Sequence, residues 1–525
     1  MKTDLLLAID AGTGSCRAIL FDINLNQVEM AQREWSHNAP KEFPGAQDFD
    51  VKVNWLLIVE CIKEVIAKAN IDASCIKGIS STSMREGIVL FDSEGNELWA
   101  CPNVDGRAGL QAEDLVASGA AEKIYALSGD WVSITSPARI RWLAERKPEL
   151  LAKASSMGLI SDWITYKLTG IHITEPSCGS SSGMFELSKR SWSKDIIELL
   201  GFPSSALPKV VESGTPIGNI SQQAAKQTGL STNSVVVAGG ADTQLALLGT
   251  GIEPNQLAVI AGSFWQTATT TESALIDPKR RLRTLCHAKP GQWMIEGIGF
   301  YSGLSLRWVR DALCELEIIA GREQNRDPYE LMEELASQVP PGSNGVLAIL
   351  SNVMNARRWV HASPSFLQFD LNNAAGTGRA AFIRSVQEAG AYVARAHMEI
   401  ISEVSGKTFS EFVFTGGASK GKLWPQILAN TLNLPLKVPV VTESTSLGAA
   451  VLAGVGSGVF KDLDHVPKLT VYSREIKPNK DDVDTYARSY KKWQNVYGEM
   501  LDISERNVLK PMWRAAGSDV TEYVR

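Results

Sequence analysis

Residues 9–22 of this 525-residue chain read IDAGTGSCRAILFD. Gly12, Thr13, Gly14 and Ser15 stand between two short apolar runs, LLLAI and RAILF. Such runs interrupted by glycine read as strand, tight turn, strand. A Walker loop requires GxxxxGK[ST] and a following helix, and a Rossmann fingerprint also sets its glycines between strand and helix. Neither fits, because here the glycines turn a hairpin. Glycine turns let peptide N–H groups approach an anion closely, so the hairpin is a candidate phosphate cradle of a third kind, flanked by Asp10 and Arg17.

A partial echo lies at residues 257–270, LAVIAGSFWQTATT, where Gly262 and Ser263 form the turn. An internal echo about halfway along predicts two similarly built domains facing each other, as does a length too great for one ordinary core. Just before it, NSVVVAGGADTQLALLG (233–249) reads as buried strand, Gly-Gly turn and apolar helix, and TGIEPNQ (250–256) as a crossing between domains. The boundaries expected are 1–249 and 250–525. In the second half, residues 380–405 have helical apolar spacing with Gly406 as a stop, and 411–432 repeat strand, Gly-Gly turn, helix. TESTSLGAAVLAGVGSG (442–458) reads as a small-residue helix with hydroxyl caps, and residues 481–501 as a peripheral helix.

The composition is that of an ordinary soluble globular protein, 44% hydrophobic and 21% charged, with a net charge of -6 and no basic block. That argues against nucleic acid as a partner. Seven cysteines without a CxxC pair suggest neither a disulfide framework nor a zinc site, and point to a reducing, cytoplasmic compartment. No uncharged run approaches the ~20 residues of a membrane helix, and the N-terminus has no signal-peptide pattern.

Phosphoryl transfer needs a cradle for phosphates, a cation to neutralise them and a base to orient the attacking hydroxyl. The turns at 12–15 and 262–263 supply cradles. Asp10 is placed to hold Mg²⁺ through water. Asp242, after a buried strand, is a candidate general base, or else a helix cap. Arg85 and Glu86, adjacent after the strand SSTSM, can donate to one hydroxyl or carbonyl and accept from another; the alternative is a surface ion pair. Asp105 and Arg107 in NVDGRAG are either a site or a solvated turn.

These motifs, in this order, resemble those of the FGGY carbohydrate kinases, built from two ribonuclease-H-like domains of the actin/Hsp70/sugar-kinase superfamily, an α/β fold around a central ATP cleft. The resemblance covers roughly residues 5–460. DAGTGSCRA is similar to the first phosphate motif. AGGADTQLALLG carries the family's catalytic aspartate at Asp242, and AGSFWQ looks like the second phosphate motif, with Ser263 where threonine is usual. SGLSLRW matches a nucleotide-side segment through Gly303, and FTGGASKGKLWPQILAN the adenosine motif through Gly416 and Gly417. SPARIRWLAERKPEL resembles a family signature with Arg139 in place of lysine.

The resemblance implies an ATP- and Mg²⁺-dependent kinase, with Asp10 and Asp242 near the metal. Arg85, Glu86, Asp105 and Asp242 would hold the substrate, and closure of the two domains would complete the site. Asn103 and Ile134 stand where glycerol kinases carry an aromatic pair, which speaks against glycerol. SMREGIVLFD, WACPNVDGRAG, GSFWQ, PPGSNG and RWVHASPSF look most like the branch that phosphorylates the quorum-sensing signal autoinducer-2, open-chain 4,5-dihydroxy-2,3-pentanedione, at its primary hydroxyl. Pentulose or polyol kinases of the same family are the nearer alternative, and a substrate-independent ATPase the more distant one. A phosphotransferase-system protein as regulator is left open by the resemblance, and so is a monomeric or dimeric state.

Overall fold

The computed structural model describes residues 4–252, 256–355, 360–440, 443–466 and 471–514. Part of the expected crossing (253–255), the start of RWVHASPSF and the end of the chain lie outside the described residues.

The opening hairpin forms as its turn chemistry dictates. β1 (Leu5–Ala11) and β2 (Ser15–Asp22) pair antiparallel, and the Gly12 N–H donates to the Ser15 carbonyl at 2.9 Å. β3 (Gln27–Glu34), β4 (Ile76–Ser83), β5 (Pro216–Asn219) and β6 (Val235–Ala241) complete a sheet of order β5-β6-β4-β1-β2-β3. In it β1, β4 and β6 run parallel.

A second sheet repeats this plan. β7 (Leu257–Ala261) and β8 (Trp265–Thr271) are the echoing hairpin. With β9 (Arg283–Cys286), β10 (Trp293–Gly299), β11 (Phe412–Gly416), β12 (Leu436–Pro439) and β13 (Tyr472–Ile476) the order is β9-β10-β8-β7-β11-β12-β13. Here β7, β11 and β12 are the parallel strands, as β1, β4 and β6 are in the first sheet.

The helices that matter for the site are α1 (Ser136–Arg146), α2 (Asp242–Thr250), α3 (Ser302–Leu313), α4 (Arg379–Ser405), α5 (Ser444–Gly456) and α6 (Lys480–Glu505). α4 stops where Gly406 takes the left-handed conformation, φ 67°. α2 follows β6 and α5 follows β12, at equivalent places in the two plans. Each is shared with the other half. Leu447, Val451 and Leu452 of α5 enter a core with Leu6, Ala8, Ile19 and Phe21 of the first sheet, while Leu247 of α2 packs with Ala258, Ala268 and Leu285 of the second.

The two helices cross at glycines. A Cβ on Gly448 would lie 2.0 Å from the Leu245 carbonyl oxygen, and one on Gly249 2.1 Å from that of Ser444. Only the absence of side chains permits this approach.

Two expectations change. The residue preceding α5 is Glu443, with no side-chain cap bond, so among the described residues no hydroxyl caps the helix; Thr442 lies outside them. The helix at 481–501 exists as α6, but one face is buried: Tyr486, Trp493 and Met500 join the core of the second half. No helix among the described residues is long and apolar enough to cross a membrane.

Candidate active site

The first turn is tied down from behind. Trp35 Nε1 donates to the carbonyls of Gly12 and Thr13 at 3.1 Å, the Trp35 N–H donates to that of Gly14, and His37 Nε2 lies 2.7 Å from the Thr13 carbonyl. With its carbonyls occupied, what the turn has left to offer a ligand is N–H, the polarity an anion requires. Gly14 has nothing within 4 Å of where a Cβ would sit, so the space beside it is open. Asn103 Nδ2 donates to Thr13 Oγ1 at 3.0 Å, linking the turn to the 102–107 loop.

Asp10 and Arg17 are register partners in β1 and β2. Arg17 reaches across to the second half, where its Nη1 meets Glu443 Oε2 at 2.5 Å. Burial raises the Asp10 carboxyl to about 7; Arg17 opposes this, while Asp242 and Glu443 add to it. Asp242 is the first residue of α2, directly after β6, and its Oδ1 accepts from the Thr243 N–H at 2.7 Å. Among the described residues the second oxygen takes no hydrogen bond, so Asp242 can serve both helix and cleft. Its side chain is 38% exposed, the opening through which a ligand can reach it. Desolvation by its surroundings nevertheless raises its pKa, against the pull of Arg85, whose Nε lies 3.6 Å from Oδ1.

Arg85 and Glu86 are buried rather than a surface pair. Glu86 is held at φ 62°, a strained conformation for a side-chain-bearing residue, of the sort that clusters at functional sites. Arg139 of α1 fixes it, donating through Nη1 to the Glu86 carbonyl. The same guanidinium donates through Nη2 to the carbonyls of Pro102, Asn103 and Asp105 at 3.2, 3.0 and 3.1 Å. A lysine lacks this fork of donors, which accounts for arginine here.

Asp105 is enclosed within the protein. Its side chain is fully buried and its Oδ1 takes the Gln47 N–H at 2.9 Å and Arg107 Nε at 2.8 Å. Arg107 also pairs with Asp48 and stands 5.1 Å from the ring centres of Trp99 and Trp142, so NVDGRAG is no solvated turn. Ile134 belongs to an apolar cluster that draws in Phe264 and Ile298 of the second half.

The second turn is braced by two glycines. The N–H groups of Gly303 and Leu304, at the start of α3, both donate to the Ser263 carbonyl at 3.2 Å. A Cβ on Gly303 would come 2.1 Å from the Gly262 carbonyl oxygen. Gly416, φ 94°, pairs with Ala261 at the end of β7, and a Cβ there would meet the Ala261 oxygen at 2.3 Å. Gly417 faces open space. Gly303→Ala must therefore displace the turn, and if the turn holds nucleotide phosphates as the resemblance implies, nucleotide KM should rise about 10-fold with acceptor KM little changed, as initial rates would show.

Sequence reasoning missed Glu296, Arg283 and Glu443, which supply the charges facing Arg85, Glu86 and Arg17, and Asp130, which pairs with Arg283. It also missed Trp35 and His37 behind the first turn.

A sheet plan used twice, with one glycine hairpin per copy, defines the class: the two-lobed actin/Hsp70/sugar-kinase fold. Residues 5–249 match the N-terminal domain, and 258–457 the C-terminal domain, of the FGGY family of carbohydrate kinases. The chain belongs to that family. It is 39% identical over 517 residues to an autoinducer-2 kinase of Salmonella paratyphi B, covering 98% of this chain and 97% of that one. To an autoinducer-2 kinase of Yersinia enterocolitica it is 38% identical over 519 residues, 98% of each. Among solved structures, a xylulose kinase from Rhodospirillum rubrum superposes with a TM-score of 0.83 at 24% identity, covering 95% of this chain and 99% of that one. Plasmodium falciparum glycerol kinase with ADP gives 0.80 at 20%, covering 95% and 98%.

Proposed function

We propose that this kinase transfers the γ-phosphoryl group of ATP to the primary hydroxyl of open-chain 4,5-dihydroxy-2,3-pentanedione, giving its 5-phosphate. The observation that carries the reading is Asp242: a carboxylate at a strand end, desolvated, with one oxygen uncommitted among the described residues and the Arg85–Glu86 pair beside it. The similarity to autoinducer-2 kinases over nearly the full length supports the choice of acceptor.

In this reading residues 1–249 carry the acceptor pocket and residues 250–525 most of the nucleotide site. Arg85 and Glu86 hold the acceptor, with Asp105 setting the loop behind them. The turn at Gly12, Thr13, Gly14 and Ser15, with Arg17, and the turn at Gly262 and Ser263 bind the phosphates from opposite sides. Gly303, Gly416 and Gly417 form the nucleotide's backbone bed. As the acceptor oxygen bonds to the γ-phosphorus, the bond to the β-phosphate oxygen breaks, ADP leaves, and the hydroxyl proton passes to Asp242.

Asp10 and Asp242 fit a divalent cation. Both are oxygen donors, both are held above the usual carboxylate range by burial, and the nearby negative charge of Glu443 is met only by Arg17 among the groups that shift Asp10. Mg²⁺ bound through water would neutralise phosphate charge there.

ADP release measured across 4,5-dihydroxy-2,3-pentanedione, xylulose, ribulose, erythritol, glycerol and no acceptor tests the proposal. The dione is expected to give the highest kcat/KM. Preference for a pentulose would keep the mechanism and overturn the acceptor, whereas equal release without acceptor would overturn both.

A further inference from the structure

Arg283 opens β9 and Glu296 faces it across the β9–β10 pair in direct antiparallel register, so both side chains leave the same face of the second sheet. They are 1% and 0% exposed. Both reach into the other half of the molecule. Arg283 Nη2 donates to Glu86 Oε1 at 2.6 Å and to Asp130, while Arg85 Nη1 donates to Glu296. Within the pair, Arg283 Nη1 lies 3.8 Å from Glu296 Oε1.

Arg85 is thus offered three carboxylates, Glu296, Asp242 and Glu86. With Nη1 taken by Glu296, the guanidinium keeps its Nε toward Asp242, at 3.6 Å, and Glu86, at 4.0 Å. Buried charges of this kind are expensive to desolvate and tolerate little freedom, since losing one partner leaves the other uncompensated. The backbone beneath is docked just as closely. The Thr284 N–H donates to the Gly129 carbonyl at 3.1 Å, and Gly129, φ 67°, has room for no Cβ, which would lie 2.4 Å from the Thr284 oxygen.

We infer that Arg283 and Glu296 are positioning residues for the acceptor: an ionic clasp from the second half that aims Arg85 and Glu86, so that the acceptor pocket is complete only when the two halves are together. The inference rests on the proposal that Arg85 and Glu86 hold the acceptor. Its consequence is that acceptor affinity is set partly by residues that lie outside the pocket and belong to the nucleotide-side sheet.

The test is steady-state kinetics with 4,5-dihydroxy-2,3-pentanedione and ATP on Glu296→Gln, Glu296→Asp, Arg85→Ala and the double variant Arg85→Ala/Glu296→Gln, each checked for native melting. Glu296→Gln is expected to raise acceptor KM roughly 10- to 100-fold while ATP KM stays within about twofold. Glu296→Asp, which keeps the charge, should recover part of that loss; it also carries the test if the glutamine variant does not fold. The double variant should be no worse for acceptor KM than Arg85→Ala alone, because Glu296 acts through Arg85. An unchanged acceptor KM in Glu296→Gln, an equal rise for both substrates, or multiplying effects in the double variant would each overturn the clasp while Arg85→Ala still raised acceptor KM. If Arg85→Ala leaves acceptor KM unchanged, the pocket assignment falls and the clasp with it.

Discussion

Asp242→Asn should lower kcat by roughly 10²- to 10⁴-fold, the range that a positioned general base contributes, and leave ATP KM within about threefold. The substitution is nearly isosteric, and the amide oxygen can still accept the Thr243 N–H that ties Oδ1 at 2.7 Å. The start of α2 is therefore preserved. What disappears is a group able to take the acceptor's proton. Initial rates with saturating acceptor, together with nucleotide binding by calorimetry, separate the two outcomes; a variant with normal kcat would remove Asp242 from the mechanism.

The same residue predicts a pH dependence. Desolvation raises the Asp242 carboxyl, against the opposing charge of Arg85. As the proposed base, Asp242 works deprotonated, so the rate should fall as pH drops through that raised value. In Asp242→Asn the residual rate should lack this acid limb.

Gly448→Ala should destabilise the fold by about 3 kcal/mol, at the upper end of overpacking costs. The added carbon would meet the Leu245 carbonyl oxygen at 2.0 Å, and the atom in its way is backbone, which cannot turn aside. Gly498 provides the contrast. It lies within α6 with nothing within 4 Å of a Cβ, so Gly498→Ala should stabilise by about 0.5–1 kcal/mol through helix propensity alone. Urea midpoints for the two variants should move in opposite directions. Equal shifts would mean that the α2–α5 crossing is looser than it stands here.

The hairpin at 9–22 was legible because its information is local: two apolar runs, a glycine turn, and no helix pattern after it. Asp242 was legible for the same reason, a carboxylate at the end of an apolar strand. Arg283 and Glu296 were not. RTLC and WMIEGIG look like ordinary strand segments, and the partners that give their charges meaning, Glu86 and Arg85, lie far away in the chain. Glu443 was passed over, since the stretch TESTS suggested hydroxyl caps. The carboxylate goes instead to Arg17, an interaction between the halves that no local pattern encodes. Asp105 was found as a charged loop residue, but its depth behind Arg107 and Arg139 depends on packing.

The exchange of α2 and α5 bears on how the chain can be made. The face of the first sheet that carries Leu6, Ala8, Ile19 and Phe21 is covered by residues 447–453 and Phe460, which leave the ribosome long after that sheet's last strand. Until then the early half presents bare apolar surface, the condition under which nascent chains aggregate or engage chaperones. Cutting the gene at residue 249 would give two fragments, the first lacking its lid and the second carrying an apolar helix with nothing to cover. The two halves look like separable modules on paper, but with α2 and α5 exchanged they are expected to reach the native state as one cooperative unit.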